Sequence, residues 1–134
     1  MVDIAVAADM ALASALVARW ATGEDHATST VGRGSQSLLL ARAALRALLA
    51  RHTGRTDWQI VRTWLGKPVV VDPSGLPGPA VSLSHTAAMA AVAIAPHGAL
   101  GVDIERHRPR DFVALAAFAF GPAEREEVVI GGGE

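Results

Sequence analysis

Residues 80–105 read AVSLSHTAAMAAVAIAPHGALGVDIE, and the reading of this run decides the fold. Residues 80–102 contain no Asp, Glu, Lys or Arg, over a length that would cross a bilayer. However, Ser82, Ser84, His85, Thr86, Pro96, His97 and Gly98 interrupt the apolar character. The run therefore reads as two buried strands, 81–84 and 91–95, joined by a turn, with a third strand at 100–105. No membrane association is expected, and the cytoplasm is the default compartment.

Working outward, residues 72–79 hold Pro73, Gly75, Pro77 and Gly78, each with a reason to bend the chain. Upstream, 69–71 is a short strand, and Trp58, Ile60 and Arg62 alternate with Gln59, Val61 and Thr63 in a strand pattern. Residues 35–52 form the clearest helix: Ser35 or Ser37 can cap it, leucines recur at helical spacing, and Gly54 follows its end. Arg42, Arg46 and Gln36 are expected on its polar side. Residues 21–34 are small and polar and read as a loop; 11–20 reads as a helix, and Val2, Ile4 and Val6 mark a first strand. Downstream, Asp111 caps a helix over 111–120, 123–129 begins another, and 130–134 reads as a frayed tail. No internal repeat is evident. The pattern is α+β, a long helix packed on a mainly antiparallel sheet.

The chain has 134 residues, the size of one compact domain or of one domain plus part of another. It is 51% hydrophobic, enough for a real core. A formal net charge of −1 argues against an overall nucleic-acid footprint. The absence of cysteine excludes disulfides, thiolate catalysis and cysteine-bound zinc. Met1 and the apolar residues after it lack a basic leader and carry Asp3 and Asp9, so they read as folded structure and not as a signal peptide.

Few residues carry chemistry. On a strand, Asp103 and Glu105 would share one face while Val102 and Ile104 point to the core. Such a pair suits a hard divalent cation such as Mg²⁺, which takes a few carboxylates plus substrate phosphate and water; alternation alone favours a plainly solvated strand face, since charged strand faces are common. Lys67, the sole lysine, stands between Gly66 and Pro68, where an ammonium could meet a phosphate oxygen or simply lie at the surface. Ser84 and His85 are adjacent, so on a strand they point to opposite faces and are poorly arranged as nucleophile and base. They read better as a strand end that binds phosphate oxygens, or His85 as a structural histidine. Arg106, Arg108 and Arg110 suit an acidic or polyphosphate partner, or a solvated loop. Glu124 near a helix start is explained by the helix dipole.

In order and separation, Gly66-Lys67-Pro68, Ser82-Leu83-Ser84-His85-Thr86, Gly101-Val102-Asp103-Ile104-Glu105 and the Phe-rich helix leading to Glu124 resemble the Sfp-type 4′-phosphopantetheinyl transferases. The resemblance runs from about Gln36 to Val129 and includes the long arginine-bearing helix. It implies Mg²⁺-dependent transfer of the phosphopantetheine arm of coenzyme A to a serine of an acyl or peptidyl carrier protein, releasing adenosine 3′,5′-bisphosphate. It further implies that Asp103, Glu105 and Glu124 hold the metal, with Glu105, or secondly Glu124, as base. Lys67, His85, Ser84 and the backbone at Gly66 would grip coenzyme A phosphates. Where the family has a basic residue at the start of the long helix, this chain has Gln36 and Ser37, and Arg33 is the nearby replacement.

The family fold is two similar α+β halves with the site between them, the second containing a Trp-x-x-Lys-Glu-Ala helix. This sequence ends at Glu134 before any such pattern. It is expected to hold the first half, 1–98, and the start of the second, 99–134. Phe112, Leu115, Phe118 or Phe120 would then be partly uncovered, or covered by a second copy in a homodimer. Two other readings compete: a coenzyme A-binding or interaction fragment without turnover, and a generic nucleotide-phosphate binding domain.

Overall fold

The computed structural model describes residues 3–7, 10–30, 35–109 and 111–131, with side chains from Leu12 onward apart from Phe112 and residues 127–131. Among these, β1 (Asp3–Ala7), α1 (Met10–Trp20), α2 (Gly23–Thr28) and α3 (Ser35–Thr53) come first. Then follow β2 (Gln59–Arg62), β3 (Pro68–Val71), β4 (Ala80–His85) and β5 (Ala90–Ala95), and finally α4 (Phe112–Ala119) and α5 (Pro122–Gly131). The architecture is mixed helix and sheet, with two small antiparallel sheets, as an α+β chain requires.

The run 80–95 is a hairpin in the sheet β1-β5-β4. Cross-strand partners share a face. The register therefore puts Val81 with Ile94, Leu83 with Val92 and His85 with Ala90 on one face, and Ser82 with Ala93 and Ser84 with Ala91 on the other. The first face is apolar up to His85, and α3 packs against it. Leu40, Leu45, Leu48 and Leu49 of α3 meet Val81, Val92 and Ile94 in the core, with Leu16 of α1 packed alongside. Gly54 N–H donates to the Ala50 carbonyl at 2.9 Å and ends α3 where the sequence predicts.

β2 and β3 form a second antiparallel pair, placing Ile60 beside Val70 in the same core. Gly66 closes this hairpin at φ +82, a conformation that a side chain would strain. Its N–H donates to the Thr63 carbonyl at 2.8 Å.

Several expectations need correction. Residues 23–28 are helical and not loop. Thr22 accepts from Asp25 N–H at 3.3 Å while the Asp25 carboxylate accepts from Thr22 N–H at 2.9 Å, a reciprocal cap. Arg42 and Arg46 do not decorate a polar side: they are buried, with Nε donated to Asp25 at 2.7 and 2.5 Å. Arg46 also donates to the Trp58 carbonyl at 2.8 Å. Burial pushes the Asp25 carboxyl up, but hydrogen bonds from Arg46, Thr22 N–H and Arg42, with the Arg46 charge, outweigh it and hold the group at about 2. The trio pins α2 onto α3. Gln36 is exposed, as expected.

Residues 100–105 do not enter a backbone ladder; Val102 and Ile104 instead donate their N–H groups to serine hydroxyls of β4. α5 reaches Gly131, into the segment read as a tail. At the start of α4, Asp111 caps the helix by accepting from Ala114 N–H at 3.0 Å, as predicted. Arg125 of α5 donates to the carbonyls of Ala117 and Phe120, joining the two helices. Phe118 is 96% exposed, and Leu115 and Phe120 are also uncovered, in line with the apolar surface expected there. The Phe112 side chain lies outside the description.

Candidate functional site

The end of β4 gathers several of the chemistry-bearing residues. Ser82 and Ser84, two apart, project from the sheet face opposite α3. Ser82 Oγ accepts from Val102 N–H at 3.0 Å, and Ser84 Oγ accepts from Ile104 N–H at 3.1 Å. The matched spacing shows that 102–104 runs extended along β4, tied by serine hydroxyls instead of carbonyls. Alternation holds on this segment: Val102 and Ile104 are half-buried, whereas Asp103 and Glu105 are exposed. Ser84 completes its bonding by donating its hydroxyl to Asp103 Oδ1 at 3.0 Å.

His85 turns the other way. Its Nδ1 lies 2.8 Å from the hydroxyl oxygen of Ser37, in the first turn of α3. Ser84 and His85 thus face opposite sides of the sheet, as their adjacency requires, yet both stand at one end of β4. Ser37 is 3% exposed and borders a cavity of about 290 Å³ with Ser14, Gln36, Ala87 and Ala88. This partnership was not legible in the sequence: the two residues are 48 positions apart, and only the docking of α3 on the sheet joins them.

Lys67 is placed elsewhere. It lines a cavity of about 310 Å³ with Pro79, Ala80, Pro96, His97 and Gly98, at the end of β4 away from His85. Those two ends are separated by roughly 17 Å of strand. Gly66, beside it, is accounted for by the hairpin turn. Glu124 Oε2 accepts from Gly121 N–H at 2.8 Å, so this carboxylate caps α5. Arg33 and Arg110 lie outside the described residues; Arg106 and Arg108 are exposed. Among the described residues, no three His, Asp or Glu side chains gather into a group that could hold a metal ion by themselves. Asp103 and Glu105 offer two hard oxygen donors on one side of one segment. That fits a cation completing its shell from a phosphorylated substrate and water.

No protein-family model matches the chain, and no curated protein does either. Among the described residues, no helix is long and apolar enough to cross a membrane.

Proposed function

We propose that the chain is a phosphopantetheinyl transferase of the Sfp type, moving the 4′-phosphopantetheine arm of coenzyme A to a serine of an acyl or peptidyl carrier protein. The observation that carries this reading is the seat of the acidic segment. Asp103 is held by Ser84 at 3.0 Å, next in sequence to His85, with Glu105 exposed on the same segment. The sequence order of the three blocks supplies the rest of the argument.

In this reading Asp103 and Glu105 would hold Mg²⁺, and Glu124, which caps α5, does not join them as a third ligand. The metal, when bound, supplies neutralising charge to the diphosphate oxygens. Ser84, whose hydroxyl is donated to Asp103, would aim that carboxylate, while His85 on the opposite face of β4 and Lys67 with the Gly66 backbone at its far end would take separate anionic groups of coenzyme A. The carrier serine oxygen bonds to the phosphorus of the pantetheine phosphate. The diphosphate P–O bond breaks, adenosine 3′,5′-bisphosphate departs, and the serine proton passes to a carboxylate. Glu105 is favoured as that base, with Glu124, which caps α5, second. The fold would be the first half of the pseudo-symmetric transferase and the start of the second. The uncovered Leu115, Phe118 and Phe120 support coverage by a second copy in a homodimer.

Calorimetric titration with coenzyme A, adenosine 3′,5′-bisphosphate and an unrelated nucleoside triphosphate, each with and without Mg²⁺, tests the site. Preferential, Mg²⁺-enhanced binding of coenzyme A is expected. Equal binding of all three would point to a generic nucleotide-phosphate domain.

A further inference from the structure

The end of α1, the last turns of α3 and the entry to β2 enclose a cavity of about 260 Å³ that the transferase chemistry does not use. Its wall contains Trp20 and Trp58 together with Arg19, Arg46 and Arg55, and among the described residues no Asp or Glu borders it. An apolar or aromatic lining with a few placed donors is the usual make-up of a ligand pocket, and this volume suits a small ligand.

The three arginines are engaged to different degrees. Arg55 is committed: it lies 4.8 Å over the Trp58 ring and donates from Nε and Nη2 to Asp57 at 2.9 and 2.8 Å. Arg46 is buried, 8% exposed, and uses four of its five N–H groups, on both Asp25 oxygens, Thr22 Oγ1 and the Trp58 carbonyl. The fifth, on Nη1, has no partner among the described residues. Asp25 is shared with Arg42, so this buried trio keeps an excess positive charge. Arg19 is exposed and has no carboxylate partner among the described residues; its guanidinium stacks 5.4 Å from the centre of the Trp20 ring. Stacking on an indole holds the plane of a guanidinium and leaves its N–H edge open, the geometry that receives an oxyanion through two parallel bonds. We propose that this cavity binds a small oxyanion carried on an apolar ring, a carboxylate or a phosphate monoester, with Arg19 as its anchor, Arg46 as a second, buried donor and the indoles packing against the ring. The inference is independent of the transferase reading, whose residues lie on other segments.

Spectra of ¹⁵N–¹H pairs in the full chain, including the indole and arginine Nε–H signals, would be followed during titration with phenyl phosphate and with benzoate, with phenol as the uncharged control. Saturable shifts at Trp20, Trp58 and Arg19 are expected from the anions and not from phenol. Arg19→Gln should weaken binding about tenfold or more, the worth of a hydrogen bond to a charged group. Arg19→Lys, which keeps the charge and loses the planar fork, should fall between the two. The tighter anion names the headgroup: phenyl phosphate a phosphate monoester, benzoate a carboxylate, and equal affinities an oxyanion site without preference. No saturable shift at millimolar concentrations, saturable shifts confined to other residues, or phenol binding as tightly as the anions would overturn the site. So would a folded Arg19→Gln that binds like the wild type. The wild-type titration can overturn the inference by itself, so a misfolded variant does not shelter it.

Discussion

The Ser84 hydroxyl donates to the Asp103 carboxylate at 3.0 Å, and the same oxygen accepts from the N–H of Ile104. One side chain on β4 thus sets both the path of the acidic segment and the aim of its first carboxylate. Ser84→Ala removes both bonds and is expected to cost about 1 kcal/mol in global stability, because the segment can turn to water. Its main effect should be local. Hydrogen exchange at the Ile104 amide should accelerate, while Val102, still held by Ser82, should change less. Unaltered exchange at Ile104 would mean that the serine does not seat this segment.

Asp103→Ala should abolish Mg²⁺-enhanced coenzyme A binding while leaving the thermal midpoint within a few degrees of wild type. The residue is exposed, and beyond the Ser84 bond it contributes little to the core. Titration of coenzyme A with and without Mg²⁺ reads this directly. Retention of the full Mg²⁺ effect would remove Asp103 from the proposed metal site.

Asp25 should be the most costly polar residue to lose. Asp25→Asn leaves the buried guanidinium groups of Arg42 and Arg46 without their counter-charge, and denaturant unfolding should show a loss of about 3–5 kcal/mol. A pH signature accompanies it. The carboxyl lies at about 2, below its ordinary 3.8, so the folded state favours the charged form. The stability tied to that shift, on the order of 2 kcal/mol, is fully present above the unfolded value and disappears as pH falls toward 2. Wild type should therefore lose more stability than Asp25→Asn between pH 5 and pH 2, as about that difference in unfolding free energy. Parallel pH profiles would contradict the buried-trio account.

Gly78 marks a close approach. A Cβ there would lie 2.6 Å from Trp58 Cζ3 and 2.9 Å from Val70 Cγ2. Gly78→Ala should destabilise the chain by roughly 1–3 kcal/mol through overpacking. Displacing the indole would also strain the Trp58 Nε1–H bond to Thr53, now 2.9 Å, so tryptophan emission should shift with stability. A variant of wild-type stability and spectrum would show that the indole moves aside without cost.

What the sequence shows and hides follows from range. The β4–β5 hairpin, α3 and the β2–β3 pair were legible because alternation, leucine spacing and Gly/Pro turns are local signals. The alternation of Asp103 and Glu105 with Val102 and Ile104 was also legible, although the backbone ladder expected there is replaced by serine hydroxyls. α2 was missed because Gly23 and Thr28 weaken it locally; its stability comes from Asp25 meeting two arginines 17 and 21 residues away. For the same reason Arg42 and Arg46 looked like surface residues. Ser37 as the partner of His85, and Lys67 at the far end of β4, are likewise products of packing. No periodicity encodes which end of a strand a loop residue will reach.

The most direct measurement is intact mass of an apo carrier protein after incubation with this chain, coenzyme A and Mg²⁺. Transfer predicts a carrier heavier by one phosphopantetheine group, with stoichiometric adenosine 3′,5′-bisphosphate, and neither product in the presence of a chelator. A carrier of unchanged mass, under conditions in which an authentic transferase loads it fully, would contradict the assignment of this chain as the enzyme.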